Sequence, residues 1–94
     1  MARAVWAGAV LAESADTIEV DGYTYFPVEA VRWEHLKPSE HRSVCGWKGV
    51  ASYWDVEVAG ERNERAVWSY QDPKPAAERV AKRVAFWRGV AIER

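Results

Sequence analysis

Residues 50–58, Val-Ala-Ser-Tyr-Trp-Asp-Val-Glu-Val, alternate in character. Val50, Ser52, Trp54, Val56 and Val58 hold the even positions, and Ala51, Tyr53, Asp55 and Glu57 the odd ones. A period of two places the two sets on opposite faces of an extended strand, and the even face is expected to be core. Ala59 and Gly60 then turn the chain, and residues 62–70 read as the returning strand. On it Ala66, Trp68 and Tyr70 share one side, with Val67 and Ser69 on the other.

Similar punctuation runs through the chain. Asp21-Gly22 is a dipeptide favoured in two-residue hairpin loops, and it separates strands at 17–20 and 23–26. Residues 3–13 read as two short strands around Gly8, 14–16 as a turn, and 27–30 as a single helical turn after Pro27. Residues 31–36 read as a strand stopped at Lys37-Pro38, 39–43 as a polar loop, and 44–49 as a segment broken by Gly46 and Gly49. Past Pro73 and Pro75, residues 76–83 carry helix formers with Ala77 and Val80 spaced by three. Pro75 suits the first helical position, and Asp72 lies near the positive helix end. Strands at 84–87 and 90–92 close the chain about Gly89. Seven or eight short strands with one short helix near residues 75–82 make a mainly-β domain, and a sheet folded over on itself best disposes of so many edges.

Ninety-four residues suit one domain, 1–94. A chain this short buries roughly 60–70% of its unfolded surface, too little to hide six Trp; some indoles are expected to line a groove or contact surface. Net charge is −1, with 13 basic and 14 acidic residues interspersed. Counterion release on nucleic acid wants a basic stripe, and the mild basic excess near the C-terminus reads as a solvated helix face. No nucleic-acid partner is expected. Residues 1–13 lack a secretory pattern, and no apolar run approaches the ~20 residues of a membrane span, so a cytoplasmic protein without a membrane partner is expected. The one cysteine, Cys45, excludes an intrachain disulfide and a thiolate zinc cage. With His35 and His41 it makes at most three N/S ligands, and neither metal nor cofactor is expected.

The densest chemical segment is Cys45-Gly46-Trp47-Lys48-Gly49. Cys45 reads either as a nucleophile activated by His41 or Lys48, because the thiolate is the reactive form, or as a small buried hydrophobe. Lys48 suits an anionic ligand or a Schiff base, or is simply solvated. Arg32, beside Trp33, suits a carboxylate or phosphate, or an ion pair with Glu34. Asp55 and Glu57 would stand roughly 6–7 Å apart on one strand face, a spacing compatible with a glycosidase-like acid pair and equally with two solvated acids. Trp47, Tyr53, Trp68 and Tyr70 come from adjacent segments, and hairpin pairing brings the last three into one sheet. They form either a flat-walled pocket for a small ring or cationic group or an aromatic core with cross-strand stacking.

Several strings carry a family resemblance: Tyr25-Phe26-Pro27, Val31-Arg32-Trp33, the segment from Cys45 to Tyr53, the segment from Ala66 to Ala77, and Val84-Ala85-Phe86-Trp87. With these the chain resembles, from Arg3 to Glu93, the bacterial family called domain of unknown function 427, sometimes labelled nucleotidyltransferase-like. Its Cys-x-Trp-Lys-Gly and Trp-x-Tyr-x-x-Pro signatures are specific; Gly46 departs from the proline more often found there. The resemblance implies a β-tent-like fold, in which two antiparallel sheets meet at an angle around a cleft. Relatives of that shape hold a four-cysteine zinc site, which one cysteine cannot supply, or a small ring in an aromatic cage. Phosphoryl transfer needs metal-holding carboxylates and a phosphate cradle, and this sequence has neither motif.

The expectation is therefore small-molecule binding in an aromatic-lined cleft between two sheets. Trp47, Tyr53, Trp68 and Tyr70 would be its walls, with Arg32 and Lys48 as polar anchors. Two alternatives stand beside it: a small enzyme using Cys45, and a structural domain that homodimerises through exposed aromatics or a sheet edge.

Overall fold

The computed structural model describes residues 1–94. Nine strands follow in chain order: β1 (Ala2–Trp6), β2 (Ala9–Ser14), β3 (Ile18–Val20), β4 (Tyr23–Pro27), β5 (Leu36–Cys45), β6 (Gly49–Val58), β7 (Glu61–Ser69), β8 (Arg83–Phe86) and β9 (Ala91–Glu93). They form a three-stranded sheet, β2-β1-β9, and a six-stranded sheet, β3-β4-β8-β7-β6-β5. Every pairing is antiparallel. The chain is thus mainly β, as its alternation and turn residues predict, and has the two antiparallel sheets that the family resemblance implies.

Three hairpins turn on a residue-glycine pair with both φ angles positive: Ala7 and Gly8 (50° and 79°), Asp21 and Gly22 (54° and 83°), Ala59 and Gly60 (51° and 83°). Such turns match the right-handed twist of the strands they join. The only helical segments are short 3-10 turns, Val28–Ala30, Trp33–His35 and Pro75–Val80. The last is the helix predicted near residues 75–82. It starts with Pro75 and kinks at Ala77 (φ −118°, ψ 23°).

Two stretches fold differently from the sequence reading. Residues 31–36 are not a strand: Val31 makes a single bridge to Ala12, and Trp33–His35 winds into a 3-10 turn. There the Trp33 indole donates to the Val28 carbonyl at 3.0 Å. Residues 39–43, expected as a loop, lie inside β5, which runs through Pro38 to Cys45. The strand tolerates proline because it is the sheet edge, pairing only with β6, where a missing N–H breaks no ladder. Its polarity reflects the solvent on its open side.

The six-stranded sheet buries apolar side chains on both faces. One face packs Phe26, Val56, Val67, Val84 and Phe86 against Ala2, Ala4, Leu11 and Ala12 of the smaller sheet. The other carries Tyr25, Ala51, Trp68 and Ala85 beneath Ala77 and Val80 of the last 3-10 segment. This corrects the expectation of a single core face on β6. Val56 and Ala51 are both fully buried, whereas Val50 is 53% exposed. Ala66 joins the cluster of Val67 rather than that of Trp68. The β6–β7 register shifts between Trp54 and Val56, and there Arg65 takes φ 58° and donates its backbone N–H to Asp55 Oδ1 at 2.9 Å.

Candidate functional site

One rung crosses four strands of the larger sheet: Tyr25 of β4 pairs with Ala85 of β8, Ala85 with Trp68 of β7, and Trp68 with Tyr53 of β6. Alternation places Tyr23 beside Tyr25 on this face, and carries Tyr70 and Trp87 just past the ends of β7 and β8. Ala85 is the small member between two large ones. Across it the Trp68 indole N–H reaches Tyr25 Oη at 3.2 Å. Trp68 is also the hub of three edge-to-face contacts, with Tyr23 at 4.8 Å, Tyr25 at 6.3 Å and Trp87 at 5.8 Å between centroids.

These rings surround a hollow of about 150 Å³. Tyr23, Tyr25, Tyr53, Trp68, Tyr70 and Trp87 form its wall, and Lys48 supplies the one charged group. All of them belong to the larger sheet or its adjoining turns. The hollow is therefore not a cleft between the two sheets, as expected, because alternation turns these side chains away from the face that packs on β1 and β2.

Lys48 sits in the turn between β5 and β6. The following segment pins that turn: Lys74 donates its backbone N–H to the Lys48 carbonyl at 2.9 Å and its ammonium to the Gly46 carbonyl at 2.8 Å. Gly49 takes φ 113°, a conformation that favours glycine, and a Cβ there would make only ordinary contact, 3.5 Å from the Asp72 carbonyl oxygen. Gly46 faces open space.

The Lys48 side chain is only 8% exposed. Its ammonium donates to Asp21 Oδ2 at 2.5 Å and lies 4.9 Å from the Trp47 ring centroid and 5.7 Å from that of Tyr70. Burial works against the charged form, but the Asp21 hydrogen bond, with the charges of Tyr25, Asp21 and Cys45 when ionised, outweighs it and raises the Lys48 pKa above its ordinary value. Burial raises both Tyr25 and Tyr70 above the usual phenol value. Both stay neutral hydrogen-bond donors at physiological pH.

Four residues singled out in the sequence, Lys48, Tyr53, Trp68 and Tyr70, meet at this hollow. Trp47 does not line it: the ring is 43% exposed and covers the Lys48 ammonium from the side. Arg32 is also elsewhere. It is exposed at the start of the Trp33–His35 turn, with its backbone N–H on the Leu11 carbonyl at 2.7 Å. Cys45 is half-buried against the cluster beneath the hollow. The backbone N–H groups of Trp47 and Lys48 favour its thiolate and lower the thiol pKa. The His41 ring packs on Tyr53 at 4.7 Å, and Tyr53 Oη meets Ser43 Oγ at 2.9 Å.

Sequence reasoning missed Tyr23, Tyr25 and Trp87. The signal for the first two was the Tyr-x-Tyr alternation after Asp21-Gly22; Trp87 depended on the long-range pairing of β8. Asp55 and Glu57 each have a local partner: Asp55 receives the Arg65 N–H at 2.9 Å, and Glu57 binds Arg62 at 2.7 and 3.0 Å. No cluster of three or more His, Cys, Asp or Glu side chains is placed to hold a metal, and no helix is long and apolar enough to cross a membrane.

The family model described as Domain of unknown function (DUF427) matches residues 1–93. No curated protein matches the chain.

Proposed function

Since the chain belongs to the family described as Domain of unknown function (DUF427), we propose that it binds a small molecule in the ring-walled hollow above Trp68. One observation carries the reading: a protonated, 8%-exposed lysine is built into the wall of a hollow that is otherwise aromatic. A buried ammonium is costly unless paired, and a lining of rings with few polar groups is the usual composition of a ligand site. The size is suitable too, because an apolar cavity of about 150 Å³ accommodates one benzene ring. Native mass spectrometry of freshly purified protein tests it. A small adduct released on denaturation, and absent from Tyr70→Ala, is expected. A bare chain in both variants, unchanged by saturating one-ring compounds, contradicts the reading.

A second reading, thiol chemistry at Cys45, is favoured by the lowered pKa of its thiol beside the backbone of Trp47 and Lys48, since the thiolate is the reactive form.

A further inference from the structure

The donors and acceptors around the hollow are unevenly divided. The Trp68 indole N–H is committed to Tyr25 Oη, and that of Trp87 to the Arg65 carbonyl at 2.5 Å. Tyr25 accepts through its oxygen, so its own hydroxyl hydrogen is free to donate. The phenols of Tyr23 and Tyr70 and the Lys48 ammonium also line the space. An ammonium has three hydrogens, and the only side-chain oxygen bonded to this one is Asp21 Oδ2. No carboxylate belongs to the wall. Asp21 reaches Lys48 from the β3–β4 hairpin turn, where its side chain is 52% exposed. A buried cation is thus balanced by a carboxylate that stands half in water.

Resting on the binding role proposed above, we propose that the ligand is a small flat-ringed carboxylic acid, and that Asp21 holds on Lys48 the place its carboxylate takes. The ring fits between Trp68 and the phenols, where offset and edge-to-face contacts are favourable. The carboxylate accepts from the Lys48 ammonium, a charge-assisted bond that strengthens as water is excluded, and from a phenol hydroxyl. A cationic ligand is disfavoured, because the Lys48 ammonium is itself part of the wall, 5.7 Å from the Tyr70 ring centroid, and repels a second positive charge. Asp21 competes with the incoming carboxylate, so its removal strengthens binding. A lysine kept only for stability would give the opposite dependence, since its lone partner would be lost.

The test is calorimetric titration of the full chain with benzoate, benzamide and phenyltrimethylammonium, on the wild type, Asp21→Asn and Lys48→Met. Asn tolerates the positive φ of Asp21, 54°, so Asp21→Asn preserves the hairpin backbone, and a thermal melt checks that both variants fold. The expected result is benzoate bound about tenfold more tightly than benzamide, no binding of the cation, a further several-fold gain for benzoate in Asp21→Asn, and loss of the benzoate preference in Lys48→Met. Equal binding of benzoate and benzamide, preference for the cation, or weaker benzoate binding in Asp21→Asn overturns the carboxylate assignment and leaves the binding role standing. Binding of none of the three to wild type or Asp21→Asn overturns both.

Discussion

Trp68 and Tyr25 are 43 positions apart in the chain, yet the indole of one donates to the phenol oxygen of the other at 3.2 Å across the small side chain of Ala85. The bond fixes the Trp68 ring edge-on to its neighbours and so sets the floor of the hollow. Tyr25→Phe leaves the buried indole N–H without an acceptor and should cost about 1–3 kcal/mol, read from urea denaturation. Adding Trp68→Phe should cost less in that background than in the wild type. Additive losses would mean that the bond contributes nothing. Trp68→Ala is the poorer probe of binding, because emptying a site that is 7% exposed costs about 3–5 kcal/mol.

Alkaline solution should destabilise the fold. Burial raises the Tyr25 and Tyr70 phenols above their ordinary value of 10.0, so the unfolded chain releases these protons at lower pH than the native one. Stability is then fully present below about pH 10 and falls as pH rises beyond it. Urea midpoints between pH 8.5 and 11 on a grid of about half a unit should decline above 10, and Tyr70→Phe should flatten the decline. A slope unchanged by that substitution would contradict the assignment to Tyr70.

Cys45 should ionise at lower pH in the folded chain than in the unfolded one, because the backbone N–H groups of Trp47 and Lys48 favour its thiolate. The iodoacetamide rate plotted against pH should have a lower midpoint for the native protein than for the chain unfolded in urea. The shift should largely survive Lys48→Met, since the backbone groups outweigh the ammonium. A thiol that reacts only after unfolding would end the case for thiol chemistry.

Ala59 occupies a left-handed conformation at φ 51°, which costs an ordinary residue roughly 1–2 kcal/mol. Asn tolerates this conformation and is favoured before glycine in such turns. Ala59→Asn should therefore add a few tenths to about 1 kcal/mol of stability, seen as a higher urea midpoint with the denaturant slope unchanged. An unchanged or lower midpoint would contradict the turn assignment.

The strands and turns were legible because they are local: period-two alternation and residue-glycine pairs announce them without reference to the rest of the chain. Pro38 misled, since only the sheet order reveals that β5 is an edge where proline is harmless. The same limit applies to the hollow. Tyr53, Trp68 and Tyr70 are joined by one hairpin and could be grouped from sequence, whereas Tyr23, Tyr25 and Trp87 arrive through the β4-β8-β7 order. Arg32 was grouped with them by chemistry alone. Set just before the Trp33–His35 turn, it stands outside the site, and Arg32→Ala should change stability by no more than about 0.5 kcal/mol.

The six indoles provide a direct readout of where a ligand sits. Nitrogen-15 spectra of the labelled protein, with signals assigned by single Trp→Phe substitutions, can be followed while one-ring compounds are added. Binding in the hollow predicts that the Trp68 and Trp87 indole signals move together and saturate, while those of Trp6, Trp33 and Trp54 stay fixed. Shifts confined to Trp33 and Trp54, or none at any indole under saturating compound, would contradict it.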